Sequence, residues 1–140
     1  MKYSILDPEV AGGLGANSKL DTSVHPPRVL KLHYEVAGWL GDDLVQSFPC
    51  YLVTRRLWQR LAALKPTGAA TEAAEVTVSA EFKELDPNKA VPEFLWLKVT
   101  GAPGEDDLGL TEDARLVVSE PVLGAMRAMQ LRHCGVSTFA

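Results

Sequence analysis

Paired carboxylates are the first groups in this chain able to do chemistry. Asp42-Asp43-Leu44 follows Leu40-Gly41, and Glu105-Asp106-Asp107-Leu108 follows Gly104. Neighbouring carboxylates can bind a hard cation or divide the work of acid and base. Adjacent aspartates beside glycine are equally the mark of a solvated turn, or of an acidic contact for a protein partner. Cys50 and Cys134 are the only thiols. Cys50 follows proline and leads an apolar run, which reads as a small buried hydrophobe. His25, His33 and His133 have no spacing that pairs metal ligands locally, so a metal site would have to be gathered from distant residues. His33 reads as a surface or rim residue. Gly12-Gly13-Leu14-Gly15 lacks the third glycine and the following helix of a dinucleotide loop. No Gly-Lys-Ser/Thr and no Gly-x-Ser-x-Gly occurs, which removes the phosphate loop and the hydrolase elbow. No cofactor is implied.

The elements that must carry these groups are short. Lys2–Leu6 predicts a first strand. Residues 8–27, rich in glycine and ending in His25-Pro26-Pro27, predict an irregular arm. Arg28–Val36 alternates as one strand with a buried face. Phe48–Val53 predicts a strand, then Thr54 caps a helix bearing Leu57, Trp58, Leu61 and Leu64. Ala69–Ala74 reads as loop or weak helix, Val76 and Val78 mark a strand, and Ser79 heads a single turn around Phe82 and Leu85. Phe94–Val99 is apolar on both faces, so it predicts a central strand or one with its second face covered by a partner. Arg115–Val118 is another strand. Ser119 caps a helix with Glu120 and Pro121 in its first turn. Leu131–Phe139 predicts a tail able to add an edge strand. The expectation is a single α+β domain over residues 1–140, with a mostly antiparallel or mixed sheet of about five to six short strands and two main amphipathic helices. Leu52-Val53-Thr54 and Val117-Val118-Ser119 each lead into a helix. That echo is either ordinary α+β grammar or a sign of two equivalent units.

Charge narrows the function classes. The 140 residues are 46% hydrophobic and 23% charged, with a formal net charge of −4, which argues against a generic grip on nucleic acid or anionic membrane. The excess is local: residues 81–113 hold nine acidic and three basic side chains. Trp96 lies in that segment. A negative field with aromatic anchors suits a basic protein surface. Arg55 and Arg56 sit in a first helical turn, against the macrodipole, and are expected to pair with an acidic loop such as Asp42-Asp43. No apolar stretch approaches a signal-peptide core or a membrane helix, so a cytoplasmic protein is expected.

Leu52-Val53-Thr54-Arg55-Arg56-Leu57-Trp58, Phe94-Leu95-Trp96-Leu97-Lys98-Val99 and Arg115-Leu116-Val117-Val118-Ser119-Glu120 resemble small immunity proteins of bacterial polymorphic-toxin systems, of the immunity protein 11 type. There a strand followed by Ser-Glu and an amphipathic helix recurs. Val118-Ser119-Glu120 fits it, whereas Thr54-Arg55 keeps the hydroxyl and departs at the acid. The resemblance covers residues 48–135. It implies a non-enzymatic protein that binds and neutralises a cognate toxin, with no catalytic residues to transfer. Partner contacts are then expected at Trp39, Asp42, Asp43, Trp96, Glu105, Asp106 and Asp107. Two other readings stand beside it: a small enzyme or ligand-binding domain with a site around His25, Asp42, Asp43 and Cys50, or a homo-oligomeric accessory protein pairing through an exposed edge strand.

Overall fold

The structure, a computed structural model, describes residues 2–140. In chain order the strands and helices are β1 (Tyr3–Asp7), β2 (Gly12–Leu14), β3 (Lys19–Asp21), β4 (Arg28–Lys31), β5 (His33–Val36), β6 (Leu44–Ser47), β7 (Cys50–Thr54), α1 (Arg55–Ala63), β8 (Ala69–Ala73), β9 (Glu75–Val78), α2 (Ala80–Leu85), β10 (Phe94–Val99), β11 (Leu108–Leu110), β12 (Leu116–Ser119), α3 (Glu120–Arg127) and β13 (Gly135–Phe139). The α+β class is as expected, but the strands form several sheets rather than one, and there are three helices among the described residues. No helix is long and apolar enough to cross a membrane.

Two four-stranded antiparallel sheets form the frame, ordered β6-β7-β10-β8 and β11-β12-β1-β13. Their registers match. Thr54 opposes Phe94 and Val53 opposes both Leu95 and Leu44. In the other sheet Ser119 opposes Tyr3, and Val118 opposes both Ser4 and Leu108. Each sheet is a hairpin, a strand from elsewhere, and the strand that follows the helix. Read along the chain, β1 precedes β6-β7-α1-β8, and β10 precedes β11-β12-α3-β13. Each unit's leading strand lies in the other unit's sheet. The echo at Thr54 and Ser119 therefore reflects two equivalent units that exchange a strand. α1 and α3 pack on each other across the join.

One apolar cluster fills the space between these sheets and the two helices: Leu6, Leu44, Val53, Leu57, Leu61, Leu97, Leu116, Val118 and Met126 are among its members. The sheet holding β10 has its second face buried as well. Phe94, Trp96, Leu52 and Cys50 pack there against Leu32, Tyr34 and Val36. β10 is thus the central strand expected from Phe94–Val99, and its second face is covered by the chain itself rather than by a partner, which explains why the strand is apolar throughout.

The covering layer comes from segments without a counterpart in the second unit. β2-β5-β9 form a three-stranded sheet, with β5 and β9 parallel, and β3-β4 form a ribbon. The expected irregular arm at 8–27 thus contains two short strands. Two of its glycines serve close packing: a Cβ on Gly12 would lie 2.0 Å from the Glu35 carbonyl oxygen, and one on Gly15 would lie 2.1 Å from His33 Nδ1. Arg28–Val36 is not one strand, because Leu32 falls between β4 and β5. His33 is buried rather than at the rim; Nδ1 accepts the Asn17 N–H at 3.2 Å and Nε2 lies 2.7 Å from Thr77 Oγ1. Ala69–Ala73 is a strand, since pairing to β10 overrides the helical preference of alanine. β13 is the edge strand expected of the tail.

Candidate functional site

The acid pairs are equivalent by position in the two units, and the second aspartate of each does the same structural work. Asp43 heads β6. Its Oδ1 accepts the Thr54 hydroxyl at 2.6 Å and Arg56 Nε–H at 2.6 Å; its Oδ2 accepts the Gln130 N–H at 2.8 Å. Asp107 precedes β11. Its Oδ1 accepts the Ser119 hydroxyl at 2.8 Å and its Oδ2 the Thr67 N–H at 3.0 Å. Each carboxylate ties the residue before one helix to the chain leaving the other helix. Thr67 N–H above all, with the Ser119 and Thr67 hydroxyls, holds the Asp107 carboxyl below its usual value against the opposing effect of burial. Thr54 also accepts the Leu57 N–H, completing its helix cap. Ser119 occupies the equivalent position but makes no side-chain cap; its hydroxyl is spent on Asp107.

Most of the expected partner contacts are therefore turned inward. Asp42 and Asp43 are 1% and 0% exposed, because Asp42 accepts the N–H groups of Arg132 and His133 at 2.9 and 2.7 Å and Asp43 is enclosed as described. They are not solvated turn tips, and they cannot meet a partner without local unfolding. Trp96 is 7% exposed, between Leu52 and its neighbours, with Lys98 Nζ 4.8 Å from the ring centroid. Asp106 is half-buried and accepts the Ala102 N–H, closing its own loop. Asp107 is half-buried and bonded as above. Glu105 is exposed. Trp39 is half-buried; its Nε1–H donates to the Asp42 carbonyl at 2.8 Å and its ring stands edge-on to Phe94. The pairing expected of the helix arginines is met by Arg56 with Asp43, while Arg55 reaches Glu93 at 2.8 Å instead.

The groups expected to meet around His25 and Cys50 have separate neighbours. His25 is exposed and lies against Phe48. Cys50 is buried in the second apolar cluster, and burial pushes its thiol up to about 12. No hydrogen bond or ion pair joins either to Asp42 or Asp43 among the described residues. A thiol so far from ionisation is a poor nucleophile at neutral pH. Beside it, Pro26, Pro49, Trp96 and Leu110 line a pocket of about 340 Å³.

A different place gathers exposed apolar side chains. Val10, Leu40 and Leu85 are 66%, 63% and 87% exposed, and all three line one hollow with Trp39 and Asp86. α2, whose Phe82 and Leu85 reach the hollow, also carries exposed Glu81, Lys83 and Glu84. Lys89, also in the wall, bonds the Trp39 carbonyl oxygen. Glu9 and His133 complete the inner side, with Asp42 just behind them. Val10 and Leu40 lie in segments with no periodicity of their own and drew no reading, while Leu85, expected to hold a single turn with Phe82, is exposed instead. The available signal was negative: Leu40 falls in a polar, turn-rich stretch that offers it nothing to pack against.

Comparison with family models and with curated proteins returned no match to the chain.

Proposed function

We propose that this protein is a non-enzymatic immunity protein that binds and neutralises a cognate toxin, docking it at the hollow between Trp39 and α2. The observation that carries the reading is the convergence of Val10, Leu40 and Leu85, all more than half exposed, on one hollow with Trp39 and Asp86 in its wall. Scattered exposed leucines are ordinary, but exposed aliphatic side chains sharing one concavity mark an interaction site. Asp86 in that wall points to the partner's chemistry: a basic surface bearing one or two apolar side chains. Trp39 supplies an anchor already held by its bond to Asp42. The segment from 81 to 113, which carries the chain's excess negative charge, supplies Leu85 and Asp86 to the hollow. The resemblance of residues 48–135 to the immunity protein 11 type points the same way.

The test is co-expression and co-purification with the protein encoded next to it, followed by inhibition of that protein's toxicity. Leu40→Asp with Leu85→Asp is expected to weaken binding by about 2–4 kcal/mol, or roughly 30- to 1,000-fold. Because both side chains are exposed, fold and thermal midpoint stay near those of the parent. Full protection by the double variant sinks the assignment of the surface; absence of any complex with the neighbouring product sinks the immunity reading.

A further inference from the structure

Three side chains far apart in sequence meet on the inner wall of the hollow. Glu9, between β1 and β2, Asp42, before β6, and His133, before β13, each offer one ligand atom, and the three atoms lie within 4.8 Å of one another. Glu9 and Asp42 are buried and His133 is exposed.

Two observations separate this cluster from an ordinary group of surface acids. The first is an orphan. Glu9 is 7% exposed. Its Oε2 accepts the Leu40 N–H at 2.6 Å, but Oε1 is buried without any hydrogen-bond partner among the described residues. Buried carboxylate oxygens almost always hold a donor, and one that does not calls for a missing cation or water. The second is orientation. Asp42 binds the backbone N–H groups of Arg132 and His133, which fixes the segment carrying the imidazole, and His133 Nδ1 already stands 3.2 Å from Asp42 Oδ1. Ligands at about 2.0–2.1 Å from a tetrahedral zinc ion lie roughly 3.3 Å from one another. The His133–Asp42 pair has that spacing, and the ligand atom of Glu9 lies within 4.8 Å of both.

We infer that Glu9, Asp42 and His133 form a binding site for a divalent transition-metal ion, best matched by zinc, with a fourth position open to the hollow. One imidazole nitrogen and two carboxylate oxygens suit zinc, which also accepts three protein ligands plus an exchangeable fourth. The ion gives Glu9 Oε1 the counter-charge it lacks. Metal binding does not depend on a toxin partner, so the two proposals fail separately.

The experiment is calorimetric titration of the chelator-treated full chain with zinc chloride, with tryptophan fluorescence as a second readout, since Trp39 bonds the Asp42 carbonyl. The expected result is one zinc per chain with micromolar or tighter affinity and a thermal midpoint that rises with zinc. His133→Ala and Glu9→Gln each weaken binding by about tenfold or more. Both variants remain folded without metal, because His133 is exposed and Glu9→Gln keeps an acceptor for the Leu40 N–H. Cys134→Ser, which removes the thiol next to His133, binds as the parent does. The inference is overturned if zinc at about 100 μM, an ordinary upper limit for a specific site, produces no heat or midpoint shift. It is equally overturned if His133→Ala binds like the parent, or if Cys134→Ser abolishes binding.

Discussion

Asp43→Ala is the substitution that most directly tests how the two units are joined. The residue is fully buried, and its carboxylate accepts bonds from Thr54, from two nitrogens of Arg56, and from the Gln130 N–H. These bonds are not equal. The Arg56 side chain is 58% exposed, so on losing Asp43 it turns to water, and its contribution is that of a surface pair, at most about 1 kcal/mol. Thr54 is buried and Gln130 N–H faces the vacated space, so each becomes a donor without an acceptor, at about 1–3 kcal/mol apiece. The whole comes to about 4 kcal/mol, in the range for removing one partner of a buried charged network. For a chain of this length that lowers the thermal midpoint by about 10–15 °C. Asp107→Ala, in the equivalent but half-buried position, is expected to cost about half as much, and Arg56→Ala less than Asp43→Ala, because the buried Asp43 carboxylate loses its counter-charge but keeps the Thr54 and Gln130 donors. Urea unfolding followed by tryptophan fluorescence measures all three. The reasoning is refuted if Asp43→Ala stays within about 1 kcal/mol of the parent, an ordinary surface effect, or if Arg56→Ala costs as much as Asp43→Ala.

The Asp107 carboxyl is held below its unfolded value, chiefly by the Thr67 N–H, so its contribution is complete above the unfolded pKa of about 3.9 and is lost as pH falls through the lower folded value. Asp107→Asn should therefore separate from the parent at pH 7 and converge with it in acid; urea midpoints that stay equally far apart at both would refute this. Cys50, pushed up to about 12 by burial, should be only about 10⁻⁴ ionised at pH 8. Mass spectrometry after brief iodoacetamide treatment should find it unmodified in the native protein and modified after unfolding, and native labelling at the rate of a free thiol would contradict its placement. A protease site inserted in the exposed turn at Asp86-Pro87-Asn88 should yield two fragments that stay together and keep the parent's circular dichroism, because β1 and β10 each complete the other half's sheet. Fragments that separate on gel filtration without denaturant would rule out the exchange.

Where local pattern and burial coincide, the chain is readable. Phe94–Val99 announces a doubly covered strand, and Leu57, Trp58 and Leu61 announce α1, since the residues that form each element also bury it. The failures share one cause. Asp42 and Asp43 look like a solvated turn because their donors, at Gln130, Arg132 and His133, lie at the other end of the chain. His33 looks peripheral because its partners are Asn17 and Thr77. Residues 8–27 look irregular because their glycines answer to the backbone of Glu35 and the ring of His33. One long-range signal was present: the echo at Thr54 and Ser119 is preceded in each unit by Asp-Asp-Leu, at 42–44 and 106–108. Aligned together, the two would have marked Asp43 and Asp107 as partners of the hydroxyls rather than of a foreign protein.

The same alignment locates the functional surface by subtraction. Whatever the two units share is committed to holding them together: the hairpins, α1 against α3, the exchanged strands, and the second aspartate of each pair. What they do not share is the stretch between β1 and β6 and the stretch between β8 and β10. In the second unit only a short loop separates β10 from β11, and its Asp106 merely closes that loop on the Ala102 N–H. In the first unit, Asp42 at the matching position instead reaches the segment carrying His133. Glu9, Val10, Trp39 and Leu40 come from the first unshared stretch, and Leu85 and Asp86 from the second, whereas Asp42 has its counterpart in Asp106. Duplication accounts for a frame with two equivalent halves, and a frame of that kind has no reason to expose three aliphatic side chains at one place. The hollow is built almost wholly from the additions that break the symmetry, and they bring Glu9 to Asp42 and His133, so a function absent from the repeated unit has its place there.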